Sequence, residues 1–159
     1  MYIQMNVDEI FEAAQKDPTL FSTLDIEALL ESVENEKNDY LENKTMVDIT
    51  KDVFENIAEL ALTKEKTRDL CDKLIGYRFI DEINELFRGR HVRWIRRDSD
   101  KLTTGGIVVD IKFLKDGIQV LTKNNMNRFI QYRFDECLSF QKLSNEEQLL
   151  LMAYEELQK

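Results

Sequence analysis

Apolar residues recur every three to four positions through the first half of the chain and every second position after residue 89, which is the difference between helical and strand periodicity. Val7, Ile10, Phe11 and Ala14 share one helical face, with Asn6 as a capping residue, until Asp17-Pro18 interrupts the pattern because a residue before proline is driven out of the helical region. A second helix is predicted over 24–40, burying Ile26, Leu29, Leu30 and Val33. A third is predicted over 46–62, capped by Thr45, with Ile49, Val53, Phe54, Ile57, Leu60 and Ala61 inward. Thr63 then caps "KEKTRDLCDKLI", in which Leu70, Cys71, Leu74 and Ile75 are apolar and Gly76 stands at the end. "YRFIDEINELF" reads as a short fifth helix closed by Gly89.

Four of the five glycines lie between residues 89 and 117, where tight connections between strands would need them. "HVRWIRR" reads as a strand with Val92 and Trp94 inward and His91, Arg93, Ile95 and Arg97 outward. "GGIVVDIKFL" sets Ile107, Val109, Ile111 and Phe113 on one face against Asp110 and Lys112 on the other. Lys115-Asp116-Gly117 is a hairpin turn leading into "IQVLTK", and "NNMN" is a second turn before "RFIQYRF" and "CLSFQK". In "RFIQYRF", Ile130, Tyr132 and Phe134 are expected inside and Phe129, Gln131 and Arg133 outside. Ser144 and Glu147 form a capping box for a terminal helix, "EEQLLLMAYEEL". The expectation is an α+β protein: an acidic helical region over 1–88, then a five-stranded antiparallel SH3-like small β-barrel with a C-terminal helix over 89–159. Closure into a barrel would remove exposed strand edges.

Charge sharpens this division. The net charge of -9 is segregated: residues 1–62 carry -11, residues 88–133 carry +7 and residues 134–159 carry -4. "RGRHVRWIRR" alone holds five arginines with the only histidine and the only tryptophan. Such asymmetry bears on partners rather than on fold. If the arginine strand and "RFIQYRF" display their polar sides together, Arg93, Arg97, Lys123 and Arg133 would contact phosphates while Phe129 stacks on an unpaired base. Lys101, Lys112, Arg128 and the amides of "NNMN" would widen that surface. A plainer reading competes with it: outward arginines form a solvated face whose stems cover apolar neighbours. They can also receive the acidic stripe Asp48, Asp52, Glu55 and Glu59 at i, i+4, i+7 and i+11 of the third helix, in the same molecule or in another. A protein partner would use that stripe or the terminal helix, where Leu150 and Met152 belong to a run of four apolar residues too wide for one helix face.

Other chemistries find little support. Cys71 and Cys137 are far apart and lack CxxC spacing, so neither a disulfide framework nor a zinc site is expected. His91 alone offers no metal site, and "TTGG" lacks the phosphate-loop pattern and precedes a strand. No cofactor and no enzymatic activity is predicted. No apolar run approaches the roughly 18 residues of a membrane helix, and the N-terminus has no secretory pattern. An intracellular protein without a membrane segment is expected.

The segment "RGRHVRWIRR…LTTGGIVVDI…VLTKNNMNRFIQYRFDECLSFQKLSNEEQLLLMA" resembles part of a group of short, uncharacterised proteins from large nucleocytoplasmic DNA viruses. The similarity covers roughly the last seventy residues, about a small domain, and lies in the arginine-tryptophan strand, the Thr-Gly-Gly turn and the "FQKLS" entry to the final helix. It implies a viral factor in the host cytoplasm or the virion. It brings no activity and no site residues.

Overall fold

The computed structural model describes residues 36–158; the helices expected over 7–14 and over most of 24–40 lie outside that range. The fold is α+β, with three α-helices and one six-stranded antiparallel sheet among the described residues. The chain divides into two compact units, residues 1–49 with 143–159 and residues 50–142. Residues 50–88, read from the sequence as part of the acidic helical region, thus belong to the unit that carries the sheet.

Helix α1 spans Met46–Ala58 and begins at the expected cap: the Thr45 amide donates to Asp48 Oδ2 at 2.9 Å and the Asp48 amide donates to Thr45 Oγ1. Helix α2 spans Lys64–Lys73, with Thr63 Oγ1 accepting from the Lys66 amide. Helix α3 spans Asn145–Leu157 and starts in the predicted capping box, the Ser144 amide donating to Glu147 Oε1 and the Glu147 amide to Ser144 Oγ. In the unit that holds α3, Gln158 donates to the Asn43 carbonyl and Asn38 to Glu146.

The strands are β1 (Tyr77–Ile80), β2 (His91–Arg96), β3 (Gly106–Leu114), β4 (Gly117–Lys123), β5 (Phe129–Arg133) and β6 (Cys137–Lys142), in the spatial order β1-β6-β2-β3-β4-β5. Two expectations are corrected here. The sheet has six strands, and it is not closed, since its edge strands β1 and β5 pair only with β6 and β4. The added strand, "YRFI", was expected to be helical. It pairs along its full length with β6, Tyr77 opposite Lys142 and Ile80 opposite Ser139. Its alternating aromatic, cationic and β-branched side chains suit a half-buried pleat, and only the following Ile83–Glu85 turn is helical, of the 3-10 kind.

Both faces of the central strands are buried. On one, Val53, Ile57, Leu70 and Leu74 of α1 and α2 pack on Ile95, Leu138 and Phe140. On the other, Ile80, Leu86, Val92, Trp94, Val108, Val120, Tyr132 and Cys137 form a second cluster. Within it the sheet bends enough for Tyr132 of β5 to stack on Trp94 of β2, ring centroids 4.2 Å apart, and to share a hydrogen bond with Ser139 Oγ of β6.

Several side chains therefore face differently from the sequence expectation. Ile95 was placed outside but is fully buried beneath α1 and α2, because this sheet has a helical layer where a barrel wall would meet water. Val108, rather than Ile107 and Val109, enters the core. The register shifts between Val108 and Asp110, and a bulge of one residue exchanges the two faces of a strand. Ile130 is exposed because β5 is an edge strand. Phe54 and Ala61, expected inward, are exposed as well.

Removing the Ile95 side chain distinguishes the two arrangements. An Ile95→Ala variant should lose about 2–5 kcal/mol in urea unfolding, the usual loss for emptying a packed aliphatic site. A change within about 0.5 kcal/mol, typical of surface positions, would contradict the helical layer.

Candidate functional site

Directly opposed residues in an antiparallel ladder project from the same face. Following the register across the sheet, Tyr77 stands opposite Lys142, His91 opposite Ile107, Ile107 opposite Lys123, and Lys123 opposite Phe129. Lys142 lies beside His91, one position beyond the Gln141–Val92 pair. One row of side chains thus crosses all six strands: aromatic, cationic, imidazole, aliphatic, cationic, aromatic. It runs along the end of the helix-bearing face, and α1 and α2 leave its β3–β5 portion uncovered. Ile107, Lys123 and Phe129 are exposed there, Phe129 at 61%. The Lys123 ammonium sits 5.7 Å from the centre of the Phe129 ring, a cation–π pair that holds the ring beside a positive charge.

His91 is the half-buried centre of the row. Its Nδ1 is 2.9 Å from the Tyr77 hydroxyl, the rings meeting edge to face. Burial pushes the imidazole below its ordinary pKa, and Arg93 and Lys142 add to the effect. Burial also raises the Tyr77 phenol. A protonated phenol donating to Nδ1 of a neutral ring accords with both directions.

Beside His91 a cleft of about 290 Å³ is walled by residues 104–107 and 123–125. Its back is built by glycine. Gly105 has φ +76°, and a Cβ there would lie 2.0 Å from the Val92 carbonyl oxygen, while one on Gly106 would lie 2.7 Å from the Lys123 oxygen. "TTGG" is therefore a close backbone crossing between β2 and β4. Asn124 closes the adjoining turn, its Oδ1 accepting from the amides of Met126 and Arg128.

The five residues expected to bind nucleic acid do not form one patch. Lys123 and Phe129 meet across a strand pair. Arg93 is committed elsewhere: its Nη1 donates to the Lys73 carbonyl at the C-terminus of α2 and its Nε to the Thr103 carbonyl, a favourable place for a cation. Arg133 lies at the far end of β5 and pairs with Asp116 at 2.6 Å, a bond that holds the Asp116 carboxyl below its usual range. Arg97 is exposed beyond the far end of β2, roughly 20 Å along the strand from His91 at 3.3 Å per residue. The row's other members, Tyr77, His91, Ile107 and Lys142, were not in the expected set. An even-odd reading of "HVRWIRR" had put His91 outward, but Tyr77 was concealed by its helical assignment.

The expected protein-binding residues also separate. Asp48, Glu55 and Glu59 are exposed and Asp52 is half-buried. Glu55 pairs with Lys51, and the partners of Arg93 and Arg133 lie elsewhere, so no docked stripe forms on those arginines. Leu150 is buried at 1% and presents nothing to a partner, whereas Met152 is exposed at 40%.

Neither cysteine is disposed to react as a thiolate. Burial raises Cys71 and pushes Cys137 up to about 11. Among the described residues, no group of three or more His, Cys, Asp or Glu side chains converges on a point, and no helix is long and apolar enough to cross a membrane. Searched against protein-family models, characterised proteins and solved structures, the chain matches none.

A depressed histidine pKa has a fixed consequence for stability. As pH falls through the ordinary value of 6.5, the unfolded chain takes up its proton before the folded one does. His91 therefore costs stability on acidification between that value and its own lower pKa, and costs nothing above that window. Since it is the only histidine, one imidazole resonance reports on it. Its NMR titration midpoint should fall below 6.5, and a midpoint above that would contradict the effect of burial on the ring.

Proposed function

We propose that the protein is a non-catalytic binding module that holds single-stranded nucleic acid along the row from His91 to Phe129. One observation carries this reading: an exposed ring, Phe129, stands against an ammonium, Lys123, beside the apolar Ile107 on one uncovered sheet end, with the half-buried His91 next in the row. Stacking on an aromatic ring and pairing with phosphate are the two contacts that an unpaired strand offers irrespective of sequence. A sheet face presents both at the spacing of its strands, about 4.8 Å.

The connectivity supports a finer reading. Strands β2 to β6 occur in the order β6-β2-β3-β4-β5, and the last returns beside the first through the Phe134–Glu136 turn. That path is the one an SH3-like barrel takes, here opened and extended by β1. Small barrels of this kind host many functions, so fold alone does not select this one. The resemblance to short viral proteins would make it a viral factor.

Local charge is compatible with the reading despite the net charge of -9. Lys123, Arg128 and Lys142 are exposed near the row. A modest number of phosphate contacts gives binding that weakens steeply with salt.

Fluorescence anisotropy with labelled oligo-dT and oligo-U at two salt concentrations tests this. Phe129→Ala should weaken binding about tenfold or more, within the range for a lost stacking platform, and Lys123→Glu should do so comparably. Arg97→Ala, at the opposite end of β2, should leave affinity nearly unchanged. Absence of salt-sensitive binding, or equal binding by Phe129→Ala, would overturn the proposal.

A further inference from the structure

The cleft beside His91 carries several hydrogen-bond donors in a lining that also includes Ile107 and two glycines. Of the side chains in its wall, Thr104, Lys123 and Asn125 are exposed and Asn124 is half-buried; none is acidic. The Asn124 amide is oriented by its own turn, since Oδ1 accepts two backbone amides. The His91 ring is oriented too. With Nδ1 taken by Tyr77, Nε2 is the nitrogen left to donate. In size the cleft, at about 290 Å³, falls just below the range of about 300–1,000 Å³ for pockets that hold whole drug-sized ligands. A phosphate group would occupy only part of that volume.

We propose that this cleft is a phosphate site, in which His91 Nε2, the Lys123 ammonium, the Thr104 hydroxyl and the amides of Asn124 and Asn125 bind the oxygens of one phosphate group. The assignment rests on the nucleic-acid reading of the row, because Lys123 belongs to both the cleft and the stacking pair. It names the group that the cleft takes while Phe129 holds a neighbouring base. The phosphate has two sources, an internal diester or the terminal phosphate of a strand.

Occupancy is linked to the charge of the ring. His91 faces Tyr77 from β1, Arg93 on its own strand, Lys142 from β6 and, across the cleft, Lys123 from β4. Burial first, and then the cations Arg93 and Lys142, disfavour protonation of the free ring. A bound anion offsets the cations, so phosphate should raise the protonation midpoint of His91, and acidification should tighten binding.

Two measurements on the full chain test the proposal. In the first, the His91 resonance is titrated with pH in inorganic phosphate and in chloride at matched ionic strength; the midpoint should rise by about half a unit or more in phosphate. In the second, oligonucleotides with a 5′-phosphate or a 5′-hydroxyl are compared on the parent protein, His91→Gln and Asn125→Asp. Asn125→Asp adds a carboxylate at an exposed turn and leaves the core intact, so it remains informative if His91→Gln folds poorly. A gain of about tenfold for the 5′-phosphate, lost in Asn125→Asp, supports the site with a terminal phosphate as source. Equal binding of both oligonucleotides, weakened about tenfold by Asn125→Asp, supports it with an internal diester as source. A His91 midpoint indifferent to phosphate, with oligonucleotide binding intact and insensitive to Asn125→Asp, overturns the site and leaves the Phe129 platform standing. A phosphate-shifted midpoint without any oligonucleotide binding supports the site and instead overturns the nucleic-acid reading.

Discussion

Strand β6 has no free side. Its edges are paired to β1 and β2, Leu138 and Phe140 are covered by α1 and α2, and Cys137, Ser139 and Gln141 face the second cluster or its polar rim. Every other feature of the sheet-bearing unit follows from filling that position. A strand buried on both faces needs a neighbour on each edge, which is why "YRFI" is drawn into the sheet. It also needs a layer above and below. The helices supply one layer, and the bending of β3 to β5 back over Trp94 supplies the other.

Several polar groups that this arrangement buries bond to one another. Gln141 accepts from the Phe87 amide and donates to the Glu85 carbonyl, and the buried Arg78 donates to the same carbonyl and to the Glu85 carboxylate at 3.2 Å. Burial lowers the Arg78 pKa to about 10 against the opposing effect of Glu85, so the guanidinium remains charged near neutral pH. A pair of this kind adds little net stability. Its geometric effect is larger: it fixes the segment between β1 and β2 over the end of the sheet, and hence the position at which His91 enters β2.

The arginine cluster that dominates the sequence proves to be mostly structural, and this reconciles it with an acidic protein. Arg88 pairs with Asp110 and Arg96 with Asp98. Arg90 and Arg93 bond to backbone carbonyls of Lys142 and Lys73. Bonding to a carbonyl orients a guanidinium without neutralising it, so these two continue to bias the potential around His91 toward positive. The exposed members of the row, Lys142, Ile107, Lys123 and Phe129, lie on the other strands.

Periodicity, capping residues and turn chemistry are local, and they were legible: the Thr45, Thr63 and Ser144 caps, the Asp116-Gly117 hairpin and the strands from His91 onward stand where spacing alone puts them. So does the exposure of Lys123 and Phe129. The sequence could not reveal that residues 77–80 meet 139–142, because four residues with mixed pattern satisfy either period and the partner that decides is sixty positions away. Nor could it locate the bulge at Val109, which depends on β3 accommodating β2 and β4 together. From the first comes the place of Tyr77 in the row that ends at Phe129, and from the second the inward turn of Val108; the helical layer turns Ile95 inward. Local side-chain chemistry chose the elements; pairing across long chain separations, which no short window encodes, chose which of their side chains share a face.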